Sequence, residues 1–292
     1  MRSGGGDEPA SAQAERPLAR IAVVSSHYYP HYLDRSTAFT RDAAKAVGAA
    51  VCVLVGSQAE LIDGLEAAAA SLPCDAIVAR HDNVGLEFGA YQRGLEEIND
   101  LASYDWLLIV NDSFSLHEPF PGQRVKNASE RMRWRVGERA PVAMGKIDGL
   151  ERSFTIERIR THRWLTSNLL VLSRAALKGL RTQIYCPELE RLIVDSDDPD
   201  CFFAPELDVV LREHTSRWLF EPSERFHWYR AAPLTSANSA FFARKARSIL
   251  QEIYLSARLE ALSTAFVDIG WLSRWQRWAL RLLPKRHGAW SS

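Results

Sequence analysis

The residues best suited to chemistry are Asn111, Asp112 and Ser113, which directly follow an apolar run at 106–110. This run has the length and the continuous apolar character of a buried strand. A carboxylate at the end of such a strand can hold Mg²⁺ or Mn²⁺ against a diphosphate, because these ions accept one or two carboxylates together with phosphate oxygens and water. The same triplet also suits an ordinary turn in which Asp112 caps a following helix.

A second polar segment, residues 80–91, also leaves a strand-like run and leads into a helical pattern. Gly85 and Gly89 allow the backbone to approach a ligand closely, and the start of the helix offers free amide groups. Arg80 has the chemistry to contact a phosphate or a ribose, and Glu87 to accept hydrogen bonds from sugar hydroxyls. Neither a G-x-G-x-x-G fingerprint nor a Walker loop is present, so the segment taken alone is equally explained as a loop with ordinary caps and glycines.

Both segments belong to a regular alternation of strands and helices. Strand-like runs at 20–26, 50–56, 75–80 and 106–110 alternate with helical patterns at 37–47, 59–70 and 88–101. The strands are continuously apolar, which indicates a parallel sheet covered on both faces. The predicted fold class is therefore α/β, with a mostly parallel central sheet flanked by helices. Parallel sheets bind ligands at the carboxyl ends of their strands, so we expect the two polar segments to converge on one pocket.

The second half of the chain is less regular. Strand-like runs occur at 141–145 and 167–172 with a basic, loop-rich stretch between them, and helical patterns follow at 206–215 and 240–266. We expect a disordered leader over 1–17, a main domain over 18–240 and a C-terminal helical extension over 241–292. The leader is rich in Gly, Ala, Pro, Ser and charge, a composition that buries too little surface to offset the entropy of ordering.

Composition excludes several classes of protein. Lys and Arg number 36 and Asp and Glu also number 36, so no global basic field indicates a nucleic-acid partner. The four cysteines are widely separated and form no C-x-x-C pair, which favours a reducing compartment over a disulfide or zinc framework. The sequence has no signal peptide and no run of about 18 apolar residues, so we expect a cytoplasmic protein without a membrane span.

The C-terminal end has a distinct pattern of tryptophan and positive charge. One helical face would carry Trp271, Trp275, Trp278 and Leu282, and basic residues surround them at Arg274, Arg277, Arg281, Lys285 and Arg286. Tryptophan beside basic residues is typical of an amphipathic helix lying on anionic lipid. We therefore expect peripheral association with the inner face of the cell membrane, with docking of this helix on the domain core as the alternative.

Taken together, the two polar segments resemble a known family. The matching residues are Arg80, Asn83, Gly85, Glu87, Phe88, Gly89, Ala90, Tyr91, Gly94, Leu95, Tyr104, Asp105, Asn111, Asp112 and Ser113. This pattern resembles the rhamnan-synthesis F-type glycosyltransferases, GT-A-like enzymes of bacterial cell-surface polysaccharide assembly. A weaker resemblance extends over 20–218. The chain departs from the family at Glu87, where an aspartate is usual, and at Trp164 and Asn168, where His and Tyr are expected.

The resemblance implies a glycosyltransferase. The donor would be a nucleotide-diphosphate sugar, with rhamnose or another deoxyhexose as the sugar, and the acceptor a lipid-linked or cell-surface polysaccharide. Asp112 would ligate a divalent metal, Mn²⁺ or Mg²⁺, against the donor diphosphate. The donor would be bound by Arg80, Asn83, Gly85, Glu87, Gly89, Tyr91, Asn111 and Ser113. For an inverting reaction, Glu206 is the first candidate for general base and Asp208 the second. An acid at the start of a helix explains Glu206 equally well.

Two other interpretations stay open. The first is a nucleotide-dependent Rossmann-like enzyme of another kind, such as an oxidoreductase or methyltransferase. It is disfavoured because Ser25, Ser26, His27 and Tyr28 stand where a glycine fingerprint is expected after the first strand. The second is a membrane-associated scaffold that keeps the fold but has lost catalysis. The presence of Glu87 where the family has an aspartate suggests this interpretation.

Overall fold

The computed structural model describes residues 19–135, 139–222 and 230–270. The predicted leader at 1–17 and the predicted tryptophan-rich helix beginning at 271 lie outside these residues. Within the described ranges, no helix combines the length and the apolar character that a bilayer crossing requires.

A central sheet of seven strands organises the described chain, and a separate two-stranded hairpin packs beside it. The strands are β1 Ile21–His27, β2 Val51–Gly56, β3 Asp75–Arg80, β4 Trp106–Asn111, β5 Val142–Gly145, β6 Ile147–Ile156, β7 Ile159–Leu165, β8 Leu169–Ser173 and β9 Ala265–Asp268. The central sheet has the order β3-β2-β1-β4-β8-β5-β9, and β6 pairs with β7 in the hairpin. In the central sheet, β8 runs antiparallel to β4 and β5, and the other pairings are parallel.

Helices cover both faces of the sheet. They are α1 Leu33–Val47, α2 Ile62–Ala69, α3 Leu86–Glu96, α4 Phe114–His117, α5 Pro121–Trp134, α6 Arg174–Gly179, α7 Val209–Phe220 and α8 Ser239–Ala261. Apolar residues of α3, α6 and α8 pack on one face, and those of α1, α2, α4 and α5 pack on the other. Because the inner strands β1, β2, β4, β5 and β8 meet a helical layer on both sides, their residues are almost all buried.

The predicted fold class is confirmed. In β1, Ala22 and Val24 belong to one core and Ile21 and Val23 to the other, which is why the strand reads as continuously apolar. The central sheet is mostly parallel and is flanked by helices, as the α/β prediction required. Helix α1 ends at Gly48, whose φ of 69° provides the left-handed cap that commonly stops a helix.

Two local predictions were wrong. The stretch between 145 and 167, predicted to be loop-rich, forms the long antiparallel hairpin of β6 and β7. The predicted helix at 240–266 ends at Ala261, and its last residues form β9, which pairs in parallel with β5. A third apolar cluster joins this hairpin to α7 and α8, with Phe154, Trp164 and Phe242 among its members. The division of the chain at residue 240 stays a prediction.

Candidate functional site

The topology of the sheet locates a crevice between β1 and β4. From β1 the chain passes to β2 and β3 on one side, and then crosses to β4 on the other side. At such a switch point the two outgoing connections diverge, and the gap beyond the strand ends is where open α/β sheets bind ligands. Tyr28 follows β1 and Asp112 follows β4, so both residues lie at this crevice.

Asp112 connects the two strands at the crevice. Its Oδ2 accepts hydrogen bonds from the backbone N–H groups of Tyr28 at 2.8 Å and Tyr29 at 2.9 Å. Its own N–H donates to the carbonyl of Ser26 at 2.9 Å. The residue is only 5% exposed. Burial raises the pKa of the carboxyl, the two backbone donors oppose this shift, and the charge of Glu87 adds to it, so that the pKa stays above its ordinary value.

The neighbours of Asp112 shape the turn that follows β4. Asn111 Oδ1 accepts hydrogen bonds from the backbone N–H of Phe114 at 3.0 Å and from the hydroxyl of Ser113 at 3.1 Å. Asn111, not Asp112, therefore serves the first turn of α4. Asp112 instead orders the segment after β1 through the backbone N–H groups of Tyr28 and Tyr29.

The loop after β3 has an unusual backbone. Asn83, Gly85 and Leu86 have φ values of 66°, 74° and 53°, so three of four successive residues are left-handed. Leucine rarely adopts this region, because its Cβ then crowds the carbonyl oxygen. The imidazole Nδ1 of His81 accepts the N–H of Asn83 at 3.0 Å and helps to hold the loop. Backbone strain of this kind is typical of binding loops.

The two glycines of this segment are accounted for by packing within the protein. A Cβ on Gly89 would lie 1.8 Å from the carbonyl oxygen of Val84, and one on Gly85 would lie 2.4 Å from the ring of Tyr185. Gly85 also needs its positive φ as the residue that precedes α3. These glycines position α3 against its own loop. Their predicted approach to a ligand stays a prediction.

Helix α3 carries Glu87 and Tyr91 to the same edge of the sheet. Glu87 Oε1 accepts a hydrogen bond from the hydroxyl of Ser248 at 2.5 Å. The buried Tyr91 donates its hydroxyl to the carbonyl of Ser167 at 3.2 Å. Burial raises the pKa of Tyr91 well above its ordinary value, and the charges of Glu87, Asp112 and Glu252 raise it further.

Glu252 of α8 is the residue that sequence reasoning missed. Its Oε2 accepts both the backbone N–H of Ser167 at 2.5 Å and the hydroxyl of Ser167 at 2.7 Å. Burial raises the pKa of Glu252 and the charge of Glu87 adds to this, while the bonds from Ser167 and the charge of Lys245 oppose it. A signal for it exists in the sequence, since Lys245, Ser248 and Glu252 are spaced three and four apart and form a polar row on a largely apolar helix.

The structure thus brings together groups that are distant in sequence. Glu87 interacts electrostatically with both Asp112 and Glu252, and Tyr91 interacts with all three carboxylates. We call the three carboxylates Glu87, Asp112 and Glu252, together with the hydroxyl of Tyr91 among them, the carboxylate cluster. Glu87, Tyr91 and Asp112 come from the two predicted segments, and Glu252 comes from α8. The charge of Glu87 adds to the raised pKa values of the other three groups, a pattern found more often at functional sites than in purely structural networks.

Positive charge adjoins the carboxylate cluster. Burial lowers the pKa of His117 in α4, and Arg230, Lys245 and Arg35 lower it further by charge repulsion. Arg35 also donates from Nη2 to the carbonyl of Ser115 at 2.7 Å. Lys245 faces both groups, because it also lowers the pKa of Glu252. The crevice is therefore bordered by carboxylates on one side and cations on the other.

Aromatic side chains gather at the β1 end of the crevice. The rings of Tyr28 and Tyr29 meet edge to face at 4.9 Å, and Tyr29 lies 5.1 Å from Tyr32. Beneath them His27 is 1% exposed, and burial lowers its pKa to about 3, so that the imidazole is neutral. Its Nδ1 lies 3.0 Å from the hydroxyl of Ser36. Half-buried tyrosines beside a crevice suit stacking on a planar ring.

Three other predicted site residues, Arg80, Asp208 and Glu206, make no hydrogen bond or ion pair with the carboxylate cluster in the part of the chain that the structure describes. Arg80 is exposed at the end of the edge strand β3, two strands from β1. Asp208 caps α7, with Oδ1 accepting the N–H of Val210 at 2.8 Å and Oδ2 accepting that of Thr155 at 2.9 Å. Glu206 is exposed. Its charge adds to the raised pKa of Arg191, in the 3-10 turn Pro187–Leu192, after the larger effect of the hydrogen bond between Arg191 and Glu157. Both candidate bases therefore have partners in the neighbourhood of the hairpin.

The donor groups available to a divalent metal are Asp112 and Glu87. Their mutual repulsion is the kind that a cation would relieve, and the pair matches the one or two carboxylates that Mg²⁺ or Mn²⁺ takes when phosphate oxygens complete its shell. In the described ranges, no three His, Cys, Asp or Glu side chains are grouped as a complete metal site. The residues therefore fit an ion that is held jointly with a diphosphate.

No protein-family model matches the chain, and no curated protein matches it. Among solved structures, it resembles the inositol-1-phosphate CTP transferase from T. maritima with a TM-score of 0.37 and 13% identity, over 56% of this chain and 75% of that one. A cytidylyltransferase from Leptospira borgpetersenii aligns with a TM-score of 0.35 and 11% identity, over 80% and 97%. The mannosyltransferase PcManGT from Pyrobaculum calidifontis, in complex with GDP-Man and Mn²⁺, aligns with a TM-score of 0.39 and 10% identity, over 92% and 81%.

These neighbours are nucleotidyltransferases and a glycosyltransferase. Identities of 13% or less and TM-scores of 0.39 or less identify no family for this chain. The rhamnan-synthesis resemblance stays a prediction. The function proposed below therefore rests on the geometry of the site itself.

Proposed function

We propose that the chain is a glycosyltransferase that uses a nucleotide-diphosphate sugar as donor. The observation that carries the proposal is the position of Asp112, a buried carboxylate at the switch point whose charge interacts with Glu87 from the other motif segment. Carboxylates held together in a crevice, with cations beside them, suit a ligand that combines sugar hydroxyls with a diphosphate. Hydroxyls donate to the carboxylates, and the diphosphate attracts the cations.

The crevice suggests an orientation for the donor. The nucleotide base would stack at Tyr28 and Tyr29, where the aromatic side chains gather. The diphosphate would lie between Asp112 and the cations Arg35 and Lys245. The sugar would then face Glu87. In this orientation Asn111 and Ser113 act on the donor through the turn they shape, and the remaining predicted donor-binding residues are Arg80, Asn83, Gly85, Gly89 and Tyr91.

We further propose that Asp112, together with Glu87, holds a divalent ion, Mn²⁺ or Mg²⁺, against the diphosphate. Such an ion stabilises negative charge on a departing nucleoside diphosphate. The chain's own contribution is the anchoring of Asp112. Two backbone N–H groups fix Oδ2, so the carboxylate is oriented before any ligand arrives.

The finer assignments are part of the same proposal. Rhamnose or another deoxyhexose as the sugar and a lipid-linked or cell-surface polysaccharide as the acceptor rest on the family resemblance. Association with the inner face of the membrane rests on the tryptophan-rich tail, which lies outside the described residues. The predicted general bases Glu206 and Asp208 are compared below with a third carboxylate.

The proposal is tested by the binding of UDP, dTDP and GDP, measured by calorimetry with and without Mn²⁺, beside NAD as a dinucleotide control. We expect one nucleoside diphosphate to bind, more tightly with Mn²⁺, and the Asp112→Asn variant to lose at least about tenfold in affinity, equivalent to about 1.4 kcal/mol. Turnover of the matching nucleotide-sugar should fall by about 10²- to 10³-fold, as when one preorganised electrostatic group is removed.

The matched control is Asp105→Asn, which removes an aspartate at the opposite edge of the sheet. It should leave nucleotide affinity unchanged. If neither Mn²⁺ nor Asp112→Asn alters nucleotide affinity, the role assigned to Asp112 is wrong. If NAD binds in preference to every nucleoside diphosphate, the chain is a nucleotide-dependent enzyme of another kind.

A further inference from the structure

Helix α8 presents a polar row to the crevice. Lys245, Ser248 and Glu252 share one helical face. Ser248 donates to Glu87, Glu252 accepts from Ser167, and the charge of Lys245 acts on Glu252. The neighbouring faces of the helix are apolar and packed, with Leu250 and Ile253 completely buried. This packing fixes the position of the polar row relative to the carboxyl edge of the sheet.

The carboxylate of Glu252 has one bound oxygen and one available oxygen. Both hydrogen bonds from Ser167 go to Oε2, and no hydrogen bond from the described residues reaches Oε1. The residue is half-buried, not completely enclosed. Two short bonds to one oxygen fix the plane of the carboxylate, and the second oxygen is left to meet a substrate.

The other carboxylates near the site differ from Glu252 in their hydrogen-bond partners or in their exposure. Asp208 uses both of its oxygens to accept backbone N–H groups, which orders the start of α7. Asp112 faces the two tyrosine amides of the donor side. Glu206 is exposed and interacts with Arg191. Glu252 combines a fixed orientation, an available oxygen and a raised pKa, and a raised pKa makes a carboxylate a better proton acceptor.

We propose that Glu252 is the general base that takes the proton of the acceptor hydroxyl. This inference rests on the proposed function. As the acceptor oxygen forms its bond to the anomeric carbon of the donor sugar, its proton passes to Oε1 of Glu252. The bond between that carbon and the diphosphate oxygen breaks, and the electron pair leaves with the nucleoside diphosphate. The titratable groups that face Glu252 are Glu87 and the neutral phenol of Tyr91 from α3 and Lys245 from its own helix.

The test is Glu252→Gln, assayed with UDP-glucose, dTDP-rhamnose and GDP-mannose, with water or a short oligosaccharide as acceptor. The amide oxygen of glutamine can still accept both bonds from Ser167, so the fold is preserved. We expect donor cleavage to fall by at least about 100-fold, because general bases contribute about 10²- to 10⁴-fold, while affinity for the nucleoside diphosphate is unchanged. The wild-type rate should rise with pH on the acid limb as Glu252 loses its proton, and the variant should lack this limb.

The chain offers a matched control on the same helix. Glu260 accepts hydrogen bonds from Thr161 at 2.6 Å and Arg163 at 3.1 Å, so Glu260→Gln makes the same chemical change two turns away. It should keep both the rate and the acid limb. Glu206→Gln should do the same, and would lose the limb instead if Glu206 were the base.

Wild-type turnover and acid limb in Glu252→Gln would overturn the inference. So would a loss of nucleotide affinity in parallel with rate, because Glu252 would then hold the shape of the site. If the wild-type chain binds nucleoside diphosphates and cleaves a nucleotide-sugar, the proposed function stands whatever Glu252→Gln shows. If it cleaves none of the three donors and binds no nucleoside diphosphate, the proposed function fails and this inference fails with it.

Discussion

The two edges of the central sheet use charge in opposite ways. At the amino edge, Asp105 Oδ1 pairs with Arg174 at 2.7 Å, and Oδ2 accepts the N–H of Arg20 at 2.9 Å. Arg20 and Arg174 also bond to Ser103, through its hydroxyl and its carbonyl respectively. Opposite charges meet at this edge, and their donors and acceptors satisfy one another.

At the carboxyl edge, carboxylates are held near carboxylates. Glu87 raises the pKa of both Asp112 and Glu252, and burial adds to each shift. Ser248, Ser167 and two backbone N–H groups orient these carboxylates without neutralising them. The amino edge is explained by stability alone. Groupings of like charge occur more often at functional sites than elsewhere, and the carboxyl edge therefore supports the proposed function.

The largest expected effect on stability and nucleotide binding is that of Gly89→Ala, at the carboxyl edge. The new Cβ would lie 1.8 Å from the carbonyl of Val84, a backbone atom that cannot rotate away. We expect a loss of about 1–3 kcal/mol in the free energy of unfolding, the usual cost of overpacking, together with weaker nucleotide binding because the loop before α3 must move. Urea denaturation and calorimetry measure the two effects.

A matched glycine serves as control for this change. In Gly122→Ala, on α5, the new Cβ would have no neighbour within 4 Å, so the variant should keep its nucleotide affinity and gain a few tenths to about 1 kcal/mol through helix propensity. Equal stability of the two variants would show that the loop and α3 are not rigidly packed.

The amino edge is tested by Asp105→Ala. This change leaves Arg174 without its carboxylate and the N–H of Arg20 without its acceptor. We expect a loss of about 1–2 kcal/mol in stability, as for a hydrogen bond to a charged group at a partly exposed site, and no change in nucleotide affinity. Asp42→Ala, which removes an exposed ion pair with Arg41 at 3.8 Å, should change stability by less than about 0.5 kcal/mol. A change in nucleotide affinity with Asp105→Ala would contradict the division between the edges.

The smallest expected effect concerns the pH dependence of stability in Asp112→Asn. A carboxyl whose pKa is raised in the folded state binds its proton more tightly there, so the contribution of Asp112 to stability falls as pH rises from the ordinary aspartate pKa through the raised one. Asparagine can accept the same two backbone bonds and has no charge to bury. Asp112→Asn should therefore match the wild type in acid and become more stable than it at neutral pH.

Thermal unfolding across this pH range measures the difference between the two proteins. A wild type more stable than Asp112→Asn at neutral pH would mean that the charge of Asp112 stabilises the fold, and that the carboxyl edge resembles the amino edge after all. The expected gain in stability with loss of turnover is the usual exchange at a functional site.

Local patterns in the sequence predicted β1 to β4 and the helices between them. Strands β1, β2 and β4 are buried on both faces, so their apolar runs are continuous and easily recognised. The hairpin of β6 and β7 was missed because its turn lacks the usual signal. Glu157 and Arg158 have φ values of 47° and 68°, the two left-handed positions that tight hairpins normally fill with Asn-Gly or Asp-Gly. Strand β9 was missed because a four-residue edge strand following a long helix resembles a continuation of that helix.

The sequence by itself determined which side chains lie at the carboxyl ends of parallel strands, because chain direction and strand order follow from local alternation and short connections. Asp112 and Glu87 were identifiable on that basis. Only the tertiary structure decided that Ser248 and Glu252 join them, from more than 130 residues further along the chain. Which face a helix turns toward a sheet depends on the packing of its apolar side chains against the whole core, and no local pattern records that outcome.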